Sequence, residues 1–421
     1  MASVTAPSQP DTMVTADGIP LKVSLKRAER RKKFVAFLLV APLLLFIVVT
    51  FVLPILDMAR RSIDNPHIVN IMPRTVAALE NWDGQDLPPE SVYEALVQDM
   101  IIAREERTSG RVATRLNYEI SGMRSTINAT ARRAANLEPP YKEALIDVNR
   151  RWGDIEVWKV IQRESKPYTL SYYLAAIDRT YDADGRIVQV AEYQRIYVDL
   201  FLRTLWLSVL ITAITLILGF PVAYLLANLP LKYSNLLMIL VLLPFWTSLL
   251  VRTTSWIVLL QSQGVINDFF VLLPGITDAN RMQLMHNQIG TVIAMSHILL
   301  PFMILPLYSV MKTIPPTYMR AARSLGANPL VAFWRVYVPQ TVPGIGAGAL
   351  LVFILSIGYY ITPALVGGRS GQLIGNLIAF HIQSSLNWGL AAALGTLLLI
   401  SIIVLFWLYN KIVGFDNVKL G

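Results

Sequence analysis

The chain has 421 residues, of which 54% are hydrophobic and only 15% charged, with a mean hydropathy of +0.49 and a formal net charge of +9. That balance excludes an ordinary soluble globular protein and points to several membrane spans. The absence of Cys excludes disulfides, thiolate metal sites and thiol nucleophiles, and the four His (His67, His286, His297, His381) make no metal-ligand spacing, so no metal site is expected.

The charges are segregated. Residues 57–200 hold 22 of the 28 acids and 19 of the 37 bases. The basic surplus therefore surrounds the apolar runs, where membrane topology accounts for it without nucleic acid. Residues 1–33 read as a disordered cytoplasmic tail ending in the basic cluster Lys22, Lys26, Arg27, Arg30, Arg31, Lys32 and Lys33. The apolar run Phe34–Leu56 follows, long enough to cross a hydrocarbon core of roughly 30 Å. Thr50-Phe-Val-Leu-Pro54 offers no small-residue cleavage site, so the run is expected to stay as a first helix with its basic end in the cytoplasm.

Residues 57–198 are then expected on the far side of the membrane, as a mostly helical insert. Helical spacing recurs at Tyr93, Leu96, Val97, Met100 and Ile101, at Val112, Leu116, Ile120, Met123 and Ile127, and at Tyr141, Leu145, Val148 and Trp152. Pro88-Pro89-Glu90-Ser91 and Glu138-Pro139-Pro140 suit helix starts. Asp182-Ala-Asp-Gly185 is half of a calcium loop, but the closing position falls on Ala191, so a turn into the strand-like run Arg186–Val190 is expected instead. Asn128-Ala-Thr130 matches a glycosylation acceptor inside a helical pattern. No catalytic constellation is present in the insert.

Five further spans are expected at about 201–227, 236–260, 289–312, 343–365 and 389–413. Lys232, then Lys312, Arg320, Arg323 and Arg335, then Lys411 and Lys419 fall on the side shared with the basic N-terminus. The opposite connections hold only Arg281 and Arg369. Both termini are thus expected in the cytoplasm. Arg203 suits snorkelling to the interface, whereas Arg252 either snorkels or faces a cavity. Trp206, Trp256, Trp388, Trp407 and Tyr409 fit interfacial belts. Gly344-Ile-Gly346-Ala-Gly348 allows close helix packing. Gly358-Tyr-Tyr-Ile-Thr-Pro363, followed by Gly367-Gly368, reads as bent or unwound backbone, tolerated at membrane depth where it is protein-buried or lines a path. Trp246, Arg252, Tyr359, Tyr360, Thr362 and Pro363 are the candidate path residues. An ordinary kink is the alternative.

No Gly-x-x-x-x-Gly-Lys-Ser/Thr loop and no intramembrane carboxylate are present, so energy is expected from another subunit through a cytoplasmic contact. The candidate is the loop 313–342. Pro315 and Pro316 start a short helix carrying Arg320-Ala-Ala-Arg-Ser-Leu, and Gly326 supplies a left-handed stop. A second short helix is expected over Val331–Val338, ending at Pro339. A membrane sensor built on the insert, or a membrane enzyme, would need a signalling domain or convergent catalytic groups that the sequence does not show.

Arg320-Ala321-Ala322-x-x-x-Gly326, nine residues, then Val336-x-Val-Pro339 resembles the "EAA" coupling loop of ABC importer permeases, with Arg320 in place of the leading Glu. Leu243-Pro-Phe-Trp-Thr-Ser-Leu-Leu-Val-Arg252, Leu300-Pro-Phe-Met-Ile-Leu-Pro-Leu-Tyr308, Tyr359-Tyr-Ile-Thr-Pro-Ala-Leu-Val-Gly-Gly368, Ile374-Gly-Asn-Leu-Ile378 and Asn387-Trp388 are similar to the spermidine/putrescine permease class, over about 200–413. The resemblance implies an all-α membrane protein with six transmembrane helices of the type I importer permease fold. It also implies an inner-membrane assembly with a second permease, two ATPase subunits that bind ATP and Mg, and a periplasmic substrate-binding protein. The solute implied is a polyamine, or an amino-acid derivative or opine handled by the same machinery. The large insert departs from the family's short first outer loop and is expected to dock a partner or gate, with a plain spacer as the alternative.

Overall fold

A computed structural model describes residues 21–272 and 277–413. Residues 1–20 of the expected tail, and Lys419, lie outside the described residues. The chain divides into two units, 1–60 and 61–421.

The first unit is one continuous helical rod. It comprises α1 (Leu21–Ile47), a π-turn (Val48–Val52) and all but the last residue of α2 (Leu53–Arg61). The basic cluster at 22–33 is therefore helical, not disordered. Lys and Arg are good helix formers, and the adjoining apolar run propagates the helix back through them. The π-turn ends two residues before Pro54, whose ring would clash with the carbonyl one turn back in a regular helix.

The second unit begins with the insert. It runs α3 (Pro66–Ile71), α4 (Pro73–Leu79), α5 (Glu90–Glu105), α6 (Ser109–Glu119), α7 (Met123–Arg133), α8 (Tyr141–Val148), α9 (Ile155–Glu164) and α10 (Ser171–Ala176). A two-stranded antiparallel hairpin follows, β1 (Arg179–Tyr181) and β2 (Ile187–Gln189). Pro89 and Pro140 occupy the N-cap positions of α5 and α8. The Asp182 carboxylate accepts from the backbone N–H of Asp184 and of Arg186, closing the hairpin turn. Thr130 of the acceptor-like tripeptide is buried and takes a 2.9 Å hydrogen bond from the Trp152 indole.

The helices of the insert close on Tyr93, Trp152 and Trp158. The ring centroids of the two Trp are 5.2 Å apart, and those of Tyr93 and Trp158 4.7 Å. Tyr93 and Trp158 both donate to the Trp152 carbonyl, and burial pushes the Tyr93 phenol up to about 12. One wall of this core is ionic. Arg115 and Glu164, each with a side chain 1% exposed, are paired, and Glu119 and Arg163 complete the network. Removing one member would leave a buried charge alone, which typically costs about 3–5 kcal/mol.

The membrane body follows as α11 (Tyr197–Asn228), α12 (Leu231–Leu242), α13 (Leu249–Leu260), α14 (Val265–Val271), α15 (Gln288–Thr313), α16 (Pro316–Ser324), α17 (Pro329–Ala332), α18 (Val338–Gly358), α19 (Ile361–Val366), α20 (Gly368–Gly371), α21 (Ile374–Gln383) and α22 (Trp388–Val413). Among the described residues five helices are long and apolar enough to cross a membrane, and one bent pair can make a sixth span. The centre is α11, α15 and α18, packed along their lengths. A Cβ on Gly344 would meet Val310 at 3.0 Å, and one on Gly348 would meet Met303 Sδ at 2.8 Å, so these glycines set the approach of α18 to α15.

Two expectations for the spans change. The third is not one helix over 236–260: it breaks after Trp246 and bends by 98°. Leu243–Trp246 tightens to a 3-10 turn at Pro244, Thr247 is extended, and the Ser248 hydroxyl caps a new helix by accepting from Val251 N. The fifth begins at Pro329, with no separate helix over Val331–Val338. A π-turn, Phe333–Tyr337, stands before Pro339 as its counterpart stands before Pro54, and joins α17 to α18 as one 30-residue helix.

The insert is built into the body. The Asp178 carboxylate accepts from the backbone N–H of Ile196, Tyr197 and Val198 at 2.8–3.1 Å, capping the first turn of α11. Tyr172 and Ala176 pack with Ile374, Leu390, Ala393 and Leu394. The Tyr172 ring fills the space above Gly389, where a Cβ would come within 2.5 Å of it.

Candidate functional site

The loop after α15 lies at the end of the body opposite the insert, against the last turns of α11. Helix α16 opens on Pro316 at its first position. It closes with Gly326 N–H on the Arg323 carbonyl at 3.0 Å and Ala327 N–H on the Ala322 carbonyl at 3.1 Å, with Gly326 at φ +90°. That pair of bonds is a complete Schellman stop, and its left-handed residue is the expected glycine. Asn328 then caps α17 through its side chain, which accepts from Val331 N at 2.8 Å.

The inner side of this loop is aromatic. Phe333 and Tyr337 stack at 5.7 Å, and Tyr224 of α11 stands edge-on to both, at 5.5 and 5.2 Å. Lys312 donates to the Ala227 carbonyl. Ala322 and Ala332 are buried beneath the loop, so Ala322 serves the loop's own packing, while Ala321 faces outward. The outer side is apolar and open. Leu325 is 90% exposed, Leu330 71% and Trp334 64%, beside the exposed Tyr318 and Val331. Arg320 is exposed, and no carboxylate pairs with it among the described residues. Val336 is half-buried and Pro339 exposed, at the junction where the π-turn passes into α18. A surface with this much exposed apolar area at the tip of a rigid loop suits burial against another protein.

A second cluster gathers where the broken spans meet. Arg252 sits in the first turn of α13, next to Thr253, which meets Thr362 of α19. Its Nε is buried and has no hydrogen-bond partner. Thr253 and Thr362, both buried, are 3.2 Å apart. Trp256 donates from Nε1 to His297 Nδ1 at 3.1 Å, which leaves Nε2 as the N–H of a neutral His297 ring. Tyr359 and Tyr360 form the break between α18 and α19, with the Tyr360 carbonyl accepting from Asn376 at 2.7 Å. His297 lies nine residues into the 26-residue α15, about 13 Å along it.

The structure thus brings Arg252, Tyr359 and Thr362 together. Tyr360 stands at the same break and is 40% exposed, Pro363 is buried in α19, and Trp246 is 75% exposed across the bend. Thr253, His297 and the polar role of Trp256 are not evident from the sequence, where each is a single polar or aromatic residue in an apolar run. Arg203 donates to the Arg369 carbonyl near the insert end of α11. No group of three or more His, Cys, Asp or Glu able to hold a metal occurs among the described residues.

Residues 216–413 match the family described as "Binding-protein-dependent transport system inner membrane component". The spermidine/putrescine transport system permease protein PotB of Haemophilus influenzae is 35% identical over 234 residues, 54% of this chain and 81% of that protein. PotB of Escherichia coli is 34% identical over 52% of this chain and 80% of its own length. The inner membrane ABC transporter permease protein YdcU of Escherichia coli is 34% identical over 51% and 72%. Among solved structures, a bacterial ABC transporter involved in alginate import aligns at 19% identity with a TM-score of 0.43, over 53% of this chain and 80% of that one. With its apolar spans, its broken helices and its loop, the chain belongs to the binding-protein-dependent transport inner-membrane component family and is a multi-pass inner-membrane permease of an ABC importer.

Proposed function

We propose that the chain forms half of the translocation path for a polyamine such as spermidine or putrescine. A substrate-binding protein delivers the solute on the insert side, a second permease completes the path, and two ATPase subunits supply the energy. The observation that carries the coupling is the loop 313–342. Its outer face is apolar and exposed, and its inner face is locked by Phe333, Tyr337 and Tyr224 onto α11. ATP and Mg are held by the ATPases; closure of the pair moves the loop, and the loop moves α11 and α18 with it. In this reading the N- and C-terminal ends of the chain are cytoplasmic, the insert is periplasmic, and Ala321, Gly326, Val336 and Pro339 serve the docking contact. Arg320, in place of an acid, meets an acidic or carbonyl surface of the ATPase.

The polyamine assignment rests on the relatives. One observation favours a second reading, an amino-acid derivative or related solute: the cluster at Arg252 offers hydrogen-bond donors and a positive charge. Among the described residues beyond Asp199, at the insert end of α11, the acids are Asp268 and Asp278. Both are paired with Arg281, at 2.7 and 2.6 Å. Uptake of labelled putrescine by vesicles holding the reconstituted importer, with mass spectrometry of the solute retained by the binding protein, separates the two. Saturable ATP-dependent putrescine uptake supports the first; a retained carboxylate solute and no putrescine uptake support the second.

A further inference from the structure

The insert and the first turn of α22 enclose a cavity of about 330 Å³. It has no part in the coupling loop or in the cluster at Arg252. Its polar wall carries hydrogen-bond donors that the protein leaves unused. Arg111 is exposed on the first turn of α6 and has no carboxylate partner among the described residues. The His67 ring, the Asn387 amide nitrogen and the Tyr172 hydroxyl also lack hydrogen-bond partners within the described protein. Burial first, and then the charges of Arg111 and Arg115, hold His67 below its ordinary value, against the opposing effect of Asp64. The ring is therefore neutral near pH 7 and presents one N–H.

The charges around the space are mixed but favour an anion at one side. Arg115 is compensated behind the wall by Glu119 and Glu164. Asp64 and Arg61 also line the cavity. Arg111 pairs with no carboxylate among the described residues. The rim is apolar: Leu386 and Trp388 are exposed at the mouth, and Trp388 is the first residue of the apolar helix α22. A tryptophan at the start of a span marks the boundary between acyl chains and headgroups. A guanidinium and neutral donors set just above an apolar rim match the phosphate of a lipid and the glyceryl region beneath it.

We infer that this cavity is a binding site for a phosphate-bearing anion, seated at the junction of the insert and the last span, with a phospholipid headgroup as its source. An occupant there would bond to α6 and to the loop before α22 together, and so hold the insert on the membrane body.

The test uses the full chain in detergent, by native mass spectrometry, titrated separately with phosphatidylglycerol and with inorganic phosphate. Wild type is compared with Arg111→Ala, Asn387→Ala and the exposed control Arg133→Ala. The expected result is phosphatidylglycerol adducts weakened about tenfold by Arg111→Ala and more modestly by Asn387→Ala, with the control unchanged, matching loss of one charge-assisted bond and one neutral bond. Lipid adducts with this variant dependence, and none with inorganic phosphate alone, support the headgroup source. Phosphate that binds alone, with the same variant dependence, keeps the phosphate chemistry and overturns the lipid source. Equal adducts in wild type and Arg111→Ala overturn the site. Unfolding temperature, measured for each variant without added lipid, separates lost binding from lost folding.

Discussion

Replacing Gly326 isolates the turn at the heart of the coupling loop. The residue sits at φ +90°, and a Cβ added there would meet nothing within 4 Å, so a substitution acts through backbone strain alone. A side chain in the left-handed region costs about 1–2 kcal/mol, with β-branched residues at the upper end. The competing conformation releases the bonds from Gly326 N–H and Ala327 N–H, each worth about 0.5–1.5 kcal/mol net. Gly326→Val should therefore shift the turn's equilibrium by about 2 kcal/mol, roughly thirtyfold. Asn tolerates this region, so Gly326→Asn should stay close to wild type. The assay is solute uptake in cells expressing the complete importer, with the amount of each variant in the membrane measured in parallel. The expected order is wild type and Asn together, Ala lower and Val lowest, at equal insertion. Full uptake by Gly326→Val would refute the turn's role. Equal loss in Asn and Val would show that bulk, not backbone conformation, is what the site excludes.

Other outcomes follow from the packing. Gly389→Ala forces a methyl within 2.5 Å of the Tyr172 ring, and should destabilise the protein by about 1–3 kcal/mol, read as a lower unfolding temperature and faster proteolysis of the insert. Asp178→Ala leaves the backbone N–H of the N-cap Ile196 and of the first two residues of α11 without their acceptor; a loss of about 1–2 kcal/mol is expected, with Asp178→Asn retaining part of it. Gly348→Ala pushes α18 from Met303 and should reduce uptake more than it reduces insertion, checked by membrane-fraction immunoblot beside transport. Arg252→Gln removes the cluster's fixed charge. If the solute is a polyamine its uptake should be preserved or rise, whereas a carboxylate solute should lose about tenfold in apparent affinity, a charged hydrogen bond being worth about 1.5–3 kcal/mol.

Much of this architecture is legible because its signals are local. Apolar runs above 20 residues mark the spans, and Gly326 and the Pro315-Pro316 pair mark a turn and a helix start by backbone preference alone. The break at Tyr359-Tyr360 is announced by Gly358 and Pro363 on either side. The break at Trp246 is not, because Thr247 and Ser248 are only two polar residues in an apolar run, and the bend depends on a hydroxyl cap. The merging of α17 into α18 is hidden for a related reason: Pro339 reads as a stop, and a π-turn before it lets the helix continue. β1 is missed because three residues, Arg179–Tyr181, carry no alternation to detect, and its pairing is set by the partner strand. The cluster at Arg252 joins residues from α13, α15, α19 and the break before α19, and no periodicity within one helix records which polar residue meets which across a bundle.

That Arg252 has no acid to answer it among the described spans narrows the question of the solute to chemistry on the second permease or on the solute itself. The insert is tied to α11 by Asp178 and to α22 by Tyr172, so a partner bound to it would bear directly on two spans.

The most direct test of the coupling loop uses the chain's lack of cysteine. A single Leu325→Cys, at the most exposed apolar position of the loop, gives one thiol on an otherwise thiol-free chain. With a short thiol–amine crosslinker in the assembled importer, this position should join to the ATPase subunit in a manner that changes with bound ATP, while a cysteine at Arg133 in the insert should not. Absence of any ATPase crosslink from Leu325→Cys in an importer that still transports would contradict the account.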